Sequence, residues 1–105
     1  MNRIQQLFQN KQQDILNIYF TAGYPGLNDT EEIILSLEKS GVDLIEIGMP
    51  YSDPLADGPT IQQSGQQALA NGMTLELLFE QITAVRQQSQ IPLVLMGYFL
   101  SLIHI

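Results

Sequence analysis

Three short apolar segments alternate along the chain with longer segments in which apolar residues recur every three or four positions. The apolar segments are residues 15–20, 42–47 and 93–96. Runs of this length that are rich in β-branched or other bulky apolar residues and are bounded by turn residues are typical of buried strands. The pattern therefore predicts three strands, each with both faces buried.

The segments before and between these strands predict four helices. Residues 1–13 carry three apolar residues at helical spacing and predict a short helix that docks through a narrow stripe. The spacing of Asp29 and Glu32 predicts a capping box at the start of the second helix. Pro59 suits the first turn of the third helix, and Thr74 is the expected N-cap of the fourth.

The order of these elements predicts the fold class. Continuous apolar strands separated by amphipathic helices pair in parallel, with helices on the faces of the sheet. The chain is therefore predicted to be an α/β protein with right-handed crossovers. Three strands are compatible both with an open, doubly wound sheet and with part of a barrel, so the pattern alone leaves these two architectures open.

Composition and charge narrow the possible partners. The chain has 105 residues, and its formal net charge is −7 because eleven acidic residues face four Lys and Arg. This balance argues against binding to nucleic acid or to an anionic membrane. The chain has no cysteine, no secretory signal pattern at its start, and no apolar run that reaches the ~18 residues of a membrane span. A soluble, cytoplasmic protein is the expectation.

Glu46 is the most informative residue of the sequence. It lies near the carboxyl end of the second predicted strand, between apolar neighbours. Burying a carboxylate is costly unless it is paired or protonated, and functional groups of parallel α/β folds gather at the carboxyl ends of strands. Glu46 is therefore a candidate general acid/base. The alternative is a structural glutamate that is bonded to neighbouring amides or to a basic side chain.

A long loop after the same strand carries two further carboxylates. Asp53 precedes Pro54, and Asp57 precedes Gly58. Aspartate in this context favours a turn, and Asp57 also suits a helix cap. Because the loop follows the strand of Glu46, it can also bring Asp57 to the same pocket, where two carboxylates divide acid and base roles.

Thr21 follows the first strand and is a candidate for lining the same pocket, although a Thr-Gly turn is common. A single histidine and the absence of cysteine argue against a metal site or a redox cofactor.

Three motifs resemble the tryptophan synthase alpha subunit family. The segment Glu46-Ile-Gly-Met-Pro-Tyr-Ser-Asp-Pro-Leu-Ala-Asp-Gly-Pro-Thr-Ile-Gln62 is similar to the signature of that family. Tyr19-Phe-Thr-Ala-Gly-Tyr-Pro-Gly26 resembles its first strand and loop, and Leu93-Val-Leu-Met-Gly-Tyr-Phe99 resembles its third strand. The resemblance extends from about Ile4 to Phe99, and it implies the first three strands of a (β/α)8 TIM barrel that is preceded by a short helix.

The resemblance also implies a reaction and residue roles. The family cleaves indole-3-glycerol phosphate to indole and glyceraldehyde 3-phosphate by a retro-aldol reaction in tryptophan biosynthesis. By motif position, Glu46 is expected to protonate the indole ring at C3 and to assist deprotonation of the glycerol hydroxyl. Asp57 is expected to bind the indole N–H and to stabilise the charge of the protonated ring. Tyr19, where the family often has Phe, is expected to line the indole pocket.

The resemblance further implies partners. Pro50, Asp53 and Pro54 fall in the loop that contacts the beta subunit of an α2β2 heterotetramer. This chain is expected to bind no cofactor or metal itself, because pyridoxal phosphate belongs to the beta subunit.

Two departures from the family pattern set the predicted domain boundaries. The barrel needs about 250 residues and eight strands, whereas this chain has 105 residues. Residues 100–105 form an apolar run that does not resemble the family, and we interpret them as a foreign or frame-shifted tail after a partial barrel domain at residues 1–99. The isolated chain is expected to be inactive. The alternatives are a non-catalytic piece that retains only the beta-subunit contact loop, and another barrel enzyme for a phosphorylated substrate.

Overall fold

A computed structural model describes residues 2–11, 13–50 and 59–97, and the backbone alone of residues 101–104. The elements are α1 (Arg3–Asn10), β1 (Asn17–Thr21), α2 (Thr30–Lys39), β2 (Leu44–Gly48), α3 (Pro59–Ala70), α4 (Leu75–Arg86), β3 (Leu93–Gly97) and β4 (Ser101–His104). The predicted order of four helices and three strands is confirmed, with ends that differ from the prediction by at most three residues. The strand β4 lies in the segment that we interpreted as a foreign tail.

The four strands form one sheet in the order β1-β2-β3-β4. The first three strands are parallel, which confirms the predicted α/β class. β4 pairs antiparallel with β3, so the edge of β3 on that side is hydrogen-bonded to another strand. This pairing lies outside the three-strand prediction.

The two faces of the sheet differ in what covers them. Ile45 and Ile47 of β2 are completely buried and belong to a cluster that includes residues from α2 and α4. The members of that cluster are Ala22, Ile34, Val42, Ile45, Ile47, Ala68, Met73, Leu78, Ile82, Val85, Ile91, Leu93 and Leu95. The opposite face of β2 carries Leu44 and Glu46, which are only half-buried. The prediction that both faces of this strand are buried is therefore wrong, because the packed helices cover the isoleucine face.

The predicted starts of α2, α3 and α4 are confirmed, but the capping box predicted for α2 is wrong. Thr74 caps α4 by accepting a hydrogen bond from the Leu77 amide at 3.1 Å, and α3 begins at Pro59. Asp29 makes no side-chain bond to the amides of α2. Its carboxylate instead accepts from the Gly26 amide at 2.9 Å, so the turn before the helix takes up the group that was predicted to cap it.

The chain between α1 and β1 is held to the amino end of β2 by Asp43. Its carboxylate accepts from the Leu16 amide and from the Lys11 ammonium, each at 2.9 Å. The Leu16 hydrogen bond and then the Lys11 bond lower the pKa of Asp43 below its usual value. α1 itself docks more loosely than its stripe predicts, because Phe8 remains 52% exposed.

Candidate active site

The half-buried face of the sheet collects the polar side chains of β1 and β2. In a parallel pair, residues in register share a face. Tyr19 pairs with Glu46, and Thr21 pairs with Gly48. Three of these four residues were predicted from the sequence to belong to one site, and the register places them side by side towards the carboxyl ends of the two strands.

Glu46 lies on β2, the strand between β1 and β3, and its side chain has a direct polar partner. Its register neighbours are Tyr19 on one side and Val94 on the other. The Asn17 side-chain amide donates a hydrogen bond to Oε1 of Glu46. The alternative of a structurally bonded glutamate is thus partly realised, yet the side chain remains half-buried and within reach of solvent. A carboxylate in this setting can exchange a proton with a bound molecule.

The hydroxyl end of the Tyr19 side chain lies directly over Gly48. A Cβ atom built at Gly48 would fall within bonding range of the Tyr19 hydroxyl and 2.8 Å from a ring carbon. No side chain fits there unless the ring moves, so Gly48 is required for the position of the phenol. Sequence reasoning missed this role because a glycine at a strand end is first interpreted as part of a turn.

A hydroxyl contact joins β1 to α3. The Thr21 and Ser64 hydroxyl oxygens are 2.8 Å apart, and Thr21 is buried. The Tyr19 hydroxyl lies 3.3 Å from that of Thr21, so the three hydroxyl groups form a row. Ser64 was not predicted. Its only sequence signal is a serine on a helix that follows a candidate active-site loop.

The turn after β1 is fastened to the end of α3 by Asn71. Its side-chain amide donates to the carbonyl oxygens of Gly23 and Pro25, at 2.9 Å each. Gln67 in turn donates to the Asn71 side-chain oxygen at 2.9 Å. The end of β1 is therefore held by Ser64 of α3, and the turn that follows β1 is held by Asn71, the residue after α3.

Asp53, Pro54 and Asp57 lie outside the described residues. Pro50 is described and buried, and a Cβ on Gly65 of α3 would lie 3.9 Å from it. Its proposed contact with another subunit stays a prediction.

Among the described residues, no group of three or more potential metal ligands occurs. Within the same part of the chain, no helix has the length and apolar character that crossing a membrane requires. The chemistry available on the described polar face is thus that of one carboxylate, one phenol and a set of hydroxyl and amide groups.

Comparisons with known proteins give one consistent result. A family model described as tryptophan synthase alpha chain matches residues 4–105. The alpha chain of Flavobacterium psychrophilum is 68% identical over 99 residues, which cover 94% of this chain and 39% of that relative. The alpha chain of Flavobacterium johnsoniae is 64% identical over the same coverage. The chain thus spans about 39% of the length of these curated relatives.

Solved structures agree with the sequence relatives. A tryptophan synthase alpha subunit from Legionella pneumophila superposes with a TM-score of 0.89 at 35% identity, covering 94% of this chain and 39% of that chain. A tryptophan synthase complex from Pyrococcus furiosus gives a TM-score of 0.75 at 42% identity, covering 81% of this chain and 35% of that chain. These likenesses resolve the choice that the pattern left open, in favour of part of an α/β barrel over an open sheet. The family match includes residues 100–105, and the domain boundary at residue 99 stays a prediction.

Proposed function

The chain belongs to the tryptophan synthase alpha chain family, and from this premise we propose that it supplies the part of a (β/α)8 barrel that carries the general acid/base of indole-3-glycerol phosphate cleavage. The observation that carries this proposal is the position of Glu46. Its carboxylate is half-buried on the polar face of the sheet and lies in register with Tyr19. In barrels of this class, that face lines the interior and the carboxyl ends of the strands hold the active site.

The proposed reaction breaks the bond between C3 of the indole ring and the first carbon of the glycerol chain. Glu46 delivers a proton to C3, which makes the ring a leaving group. The hydroxyl on the first glycerol carbon loses its proton as that carbon becomes the aldehyde of glyceraldehyde 3-phosphate, and the electrons of the broken bond return to the indole ring. A single carboxylate that first gives and then takes a proton leaves the process balanced.

Three further residues complete the proposed site. The Tyr19 ring, held over Gly48, forms a flat wall against which an indole can stack. Thr21 lies beside it. Asp57 is proposed to accept the indole N–H and to stabilise positive charge on the protonated ring.

The partner and the setting are proposed on the same basis. The relative from Pyrococcus furiosus was solved as a tryptophan synthase complex. We propose that this chain, as part of an intact alpha subunit, pairs with a beta subunit through the loop that contains Pro50, Asp53 and Pro54. Pyridoxal phosphate is assigned to that partner, with no cofactor in this chain, and the location is the cytoplasm.

A chimeric enzyme tests the proposal. The aligned 99 residues of this chain replace their counterparts in the alpha chain of Flavobacterium psychrophilum, which is 68% identical over that segment. The chimera is expected to release indole from indole-3-glycerol phosphate at a rate near that of the parent relative. Glu46→Gln in the chimera is expected to lower kcat by a factor of about 10²–10⁴, the usual contribution of a general acid/base.

The outcome distinguishes the proposed function from its main alternative. A folded chimera that binds the beta subunit but releases no indole would favour a non-catalytic contact piece. Circular dichroism and the unfolding midpoint of Glu46→Gln provide the control, since an isosteric amide at a half-buried site is expected to leave the fold intact.

A further inference from the structure

The turn after β1 is held in place by side chains from two other parts of the chain. The Asn71 side-chain amide donates to the carbonyl oxygens of Gly23 and Pro25, at 2.9 Å each. The Gln81 side-chain amide of α4 donates to the carbonyl oxygen of Leu27, also at 2.9 Å. A carbonyl oxygen can only accept, so the donor in each of these bonds is fixed. Three alternate carbonyl groups of the turn are therefore bound from outside it.

Packing and a backbone bond fix the same turn around Tyr24. The Tyr24 amide donates to the Thr21 carbonyl oxygen at 3.3 Å. Gly23 has a φ of +83°, and a Cβ atom there would lie 2.9 Å from Cβ of Met73, which is buried. The backbone of Tyr24 is thus held by a bond of its own and by a bound carbonyl group on each side.

The side chain of Tyr24 is exposed although its backbone is held. The large apolar side chains that are exposed among the described residues are those of Phe8, Leu16, Tyr24 and Phe79. Of these, Tyr24 alone lies in a turn that follows the carboxyl end of a strand. Burying this ring against a partner costs little entropy, because the turn is already ordered and tyrosine has only two side-chain torsions. Tyrosine is also enriched among the residues that dominate binding energy at protein interfaces.

Tyr24 and Pro50 lie at the same end of the sheet. Thr21 and Gly48 are in register at the carboxyl ends of β1 and β2. Tyr24 is three residues beyond Thr21, and Pro50 is two residues beyond Gly48. Both segments therefore emerge on the side where barrels of this class carry their functional loops.

The helix α3 relates the two segments more closely. A Cβ on Gly65 would lie 3.9 Å from Pro50, and Asn71 binds the turn of Tyr24. Gly65 and Asn71 are six residues apart, which is about 9 Å along a helix. An interface of standard size buries ~800 Å² on each partner, a patch about 30 Å across. A partner that is seated on Pro50 therefore also reaches the turn of Tyr24.

We propose that Tyr24 is an anchor residue of the beta-subunit interface and extends the contact proposed for Pro50 to the turn after β1. The matching site on the beta subunit is a pocket with apolar walls and a hydrogen-bond acceptor, because the O–H group of a buried tyrosine requires a partner. Asn71 is a positioning residue, which holds the turn from which Tyr24 projects. This inference rests on the proposed pairing of an intact alpha subunit with a beta subunit.

Titration calorimetry of the chimera with the beta subunit of Flavobacterium psychrophilum tests the proposal. Tyr24→Ala is expected to raise Kd about 30-fold, as truncation of an interface anchor does. Tyr24→Phe keeps the ring and is expected to raise Kd by at most about fivefold, since it removes one hydrogen bond. Indole release by the chimera without the beta subunit is expected to keep its kcat and KM in both variants, because Tyr24 takes no part in the proposed reaction.

Two further variants separate a specific anchor from a general effect. Phe79→Ala is the matched control. It also removes an aromatic ring that is 43% exposed, but the ring is on α4 rather than on the turn, so Kd is expected to stay unchanged. Asn71→Ala is expected to raise Kd about threefold, the cost of ordering the turn on binding. Combined with Tyr24→Ala it is expected to have no further effect, because the turn then has no anchor to present.

Circular dichroism and urea midpoints establish that each variant is folded. An unchanged Kd in Tyr24→Ala, or an equal rise in Phe79→Ala, would overturn the role of Tyr24. Additive effects of Asn71→Ala and Tyr24→Ala would overturn the role of Asn71. A chimera that releases indole but binds no beta subunit would reject the partnership together with this inference. A chimera that binds the beta subunit but releases no indole would reject only the proposed reaction, and the Kd comparisons would still decide the role of Tyr24.

Discussion

Asn17 donates its side-chain amide to Oε1 of Glu46 across the first two strands. The contact is diagonal, because Asn17 is in register with Leu44 whereas Glu46 is in register with Tyr19. The bond therefore draws the carboxylate towards the amino end of the sheet. The carboxyl ends of the strands, where Thr21 lies, are the side on which barrels of this class bind their substrates.

Removal of this amide is expected to speed the proposed reaction. In Asn17→Ala, Glu46 no longer has to break a hydrogen bond of about 1 kcal/mol before it reaches a substrate. We expect kcat/KM for indole release by the chimera to rise by up to about fivefold. Asn17→Asp is the companion variant. It also lacks a donor amide, and in addition its carboxylate repels that of Glu46. A fall in kcat/KM in Asn17→Ala would show that the amide instead holds Glu46 in its productive position.

A methyl group at Gly48 is expected to destabilise the chain through the Tyr19 ring. A Cβ at Gly48 collides with that ring, and overpacking of this kind costs about 1–3 kcal/mol. Gly65→Ala is the matched control. Among the residues that the structure describes, its Cβ would meet only Pro50, at 3.9 Å, and alanine inside a helix gains about 0.5–1 kcal/mol over glycine. Urea unfolding of the chimera measures the free energy of unfolding of both variants. Tyr19→Ala combined with Gly48→Ala is expected to recover part of the stability that Gly48→Ala loses.

If Gly48→Ala were as stable as its parent, the close approach of Tyr19 to the strand would not persist in solution. In that case, the flat wall proposed for the indole pocket would lose its support.

The stability contributed by Asp43 is expected to depend on pH. Its folded pKa lies below the usual value because of the Leu16 hydrogen bond first and Lys11 second. A carboxyl with a lowered folded pKa stabilises the fold above its unfolded pKa of about 3.9, and that stability is lost as the pH falls through the folded value. Asp43→Asn is therefore expected to be destabilising at pH 7, with a difference from the parent that shrinks steadily below about pH 4.

Lys11→Met separates the two causes. The Leu16 amide, the largest single cause of the lowered pKa of Asp43, remains in this variant, so part of the pH dependence is expected to persist. Urea unfolding between pH 7 and pH 2.5 supplies the measurement. A Lys11→Met variant that loses the whole pH dependence would assign the effect to the ion pair instead.

The element order was predictable because periodicity reports burial directly. Ile45 and Ile47 are apolar and are buried. The start of a helix such as α4 is marked in the sequence by an N-cap residue, here Thr74. Local sequence was less informative where two backbone groups compete for one side chain. Asp29 has the spacing of a cap, yet it bonds the Gly26 amide that precedes the helix.

The site was predictable in type but only partly in geometry. Glu46 was identified because a carboxylate is unusual among apolar neighbours in a strand. The Thr21–Ser64 bond joins residues 43 positions apart, and no local pattern signals such a pairing. Sequence also overestimated the burial of Glu46, since the covering of each face depends on where the helices pack.

The alternation along β2 separates two kinds of evolutionary constraint. Ile45 and Ile47 face the helices, and a change there disturbs packing that the whole fold shares. Glu46 and Gly48 alternate with them and face the polar side. A lineage can therefore change the half-buried residue at position 46 with less effect on packing than a change at either isoleucine, whereas Gly48 is also constrained by the Tyr19 side chain above it. Substitutions between relatives are accordingly expected to alternate along this strand. Apolar volume is expected to stay constant at the two isoleucine positions, and ligand preference is expected to change with the residue between them.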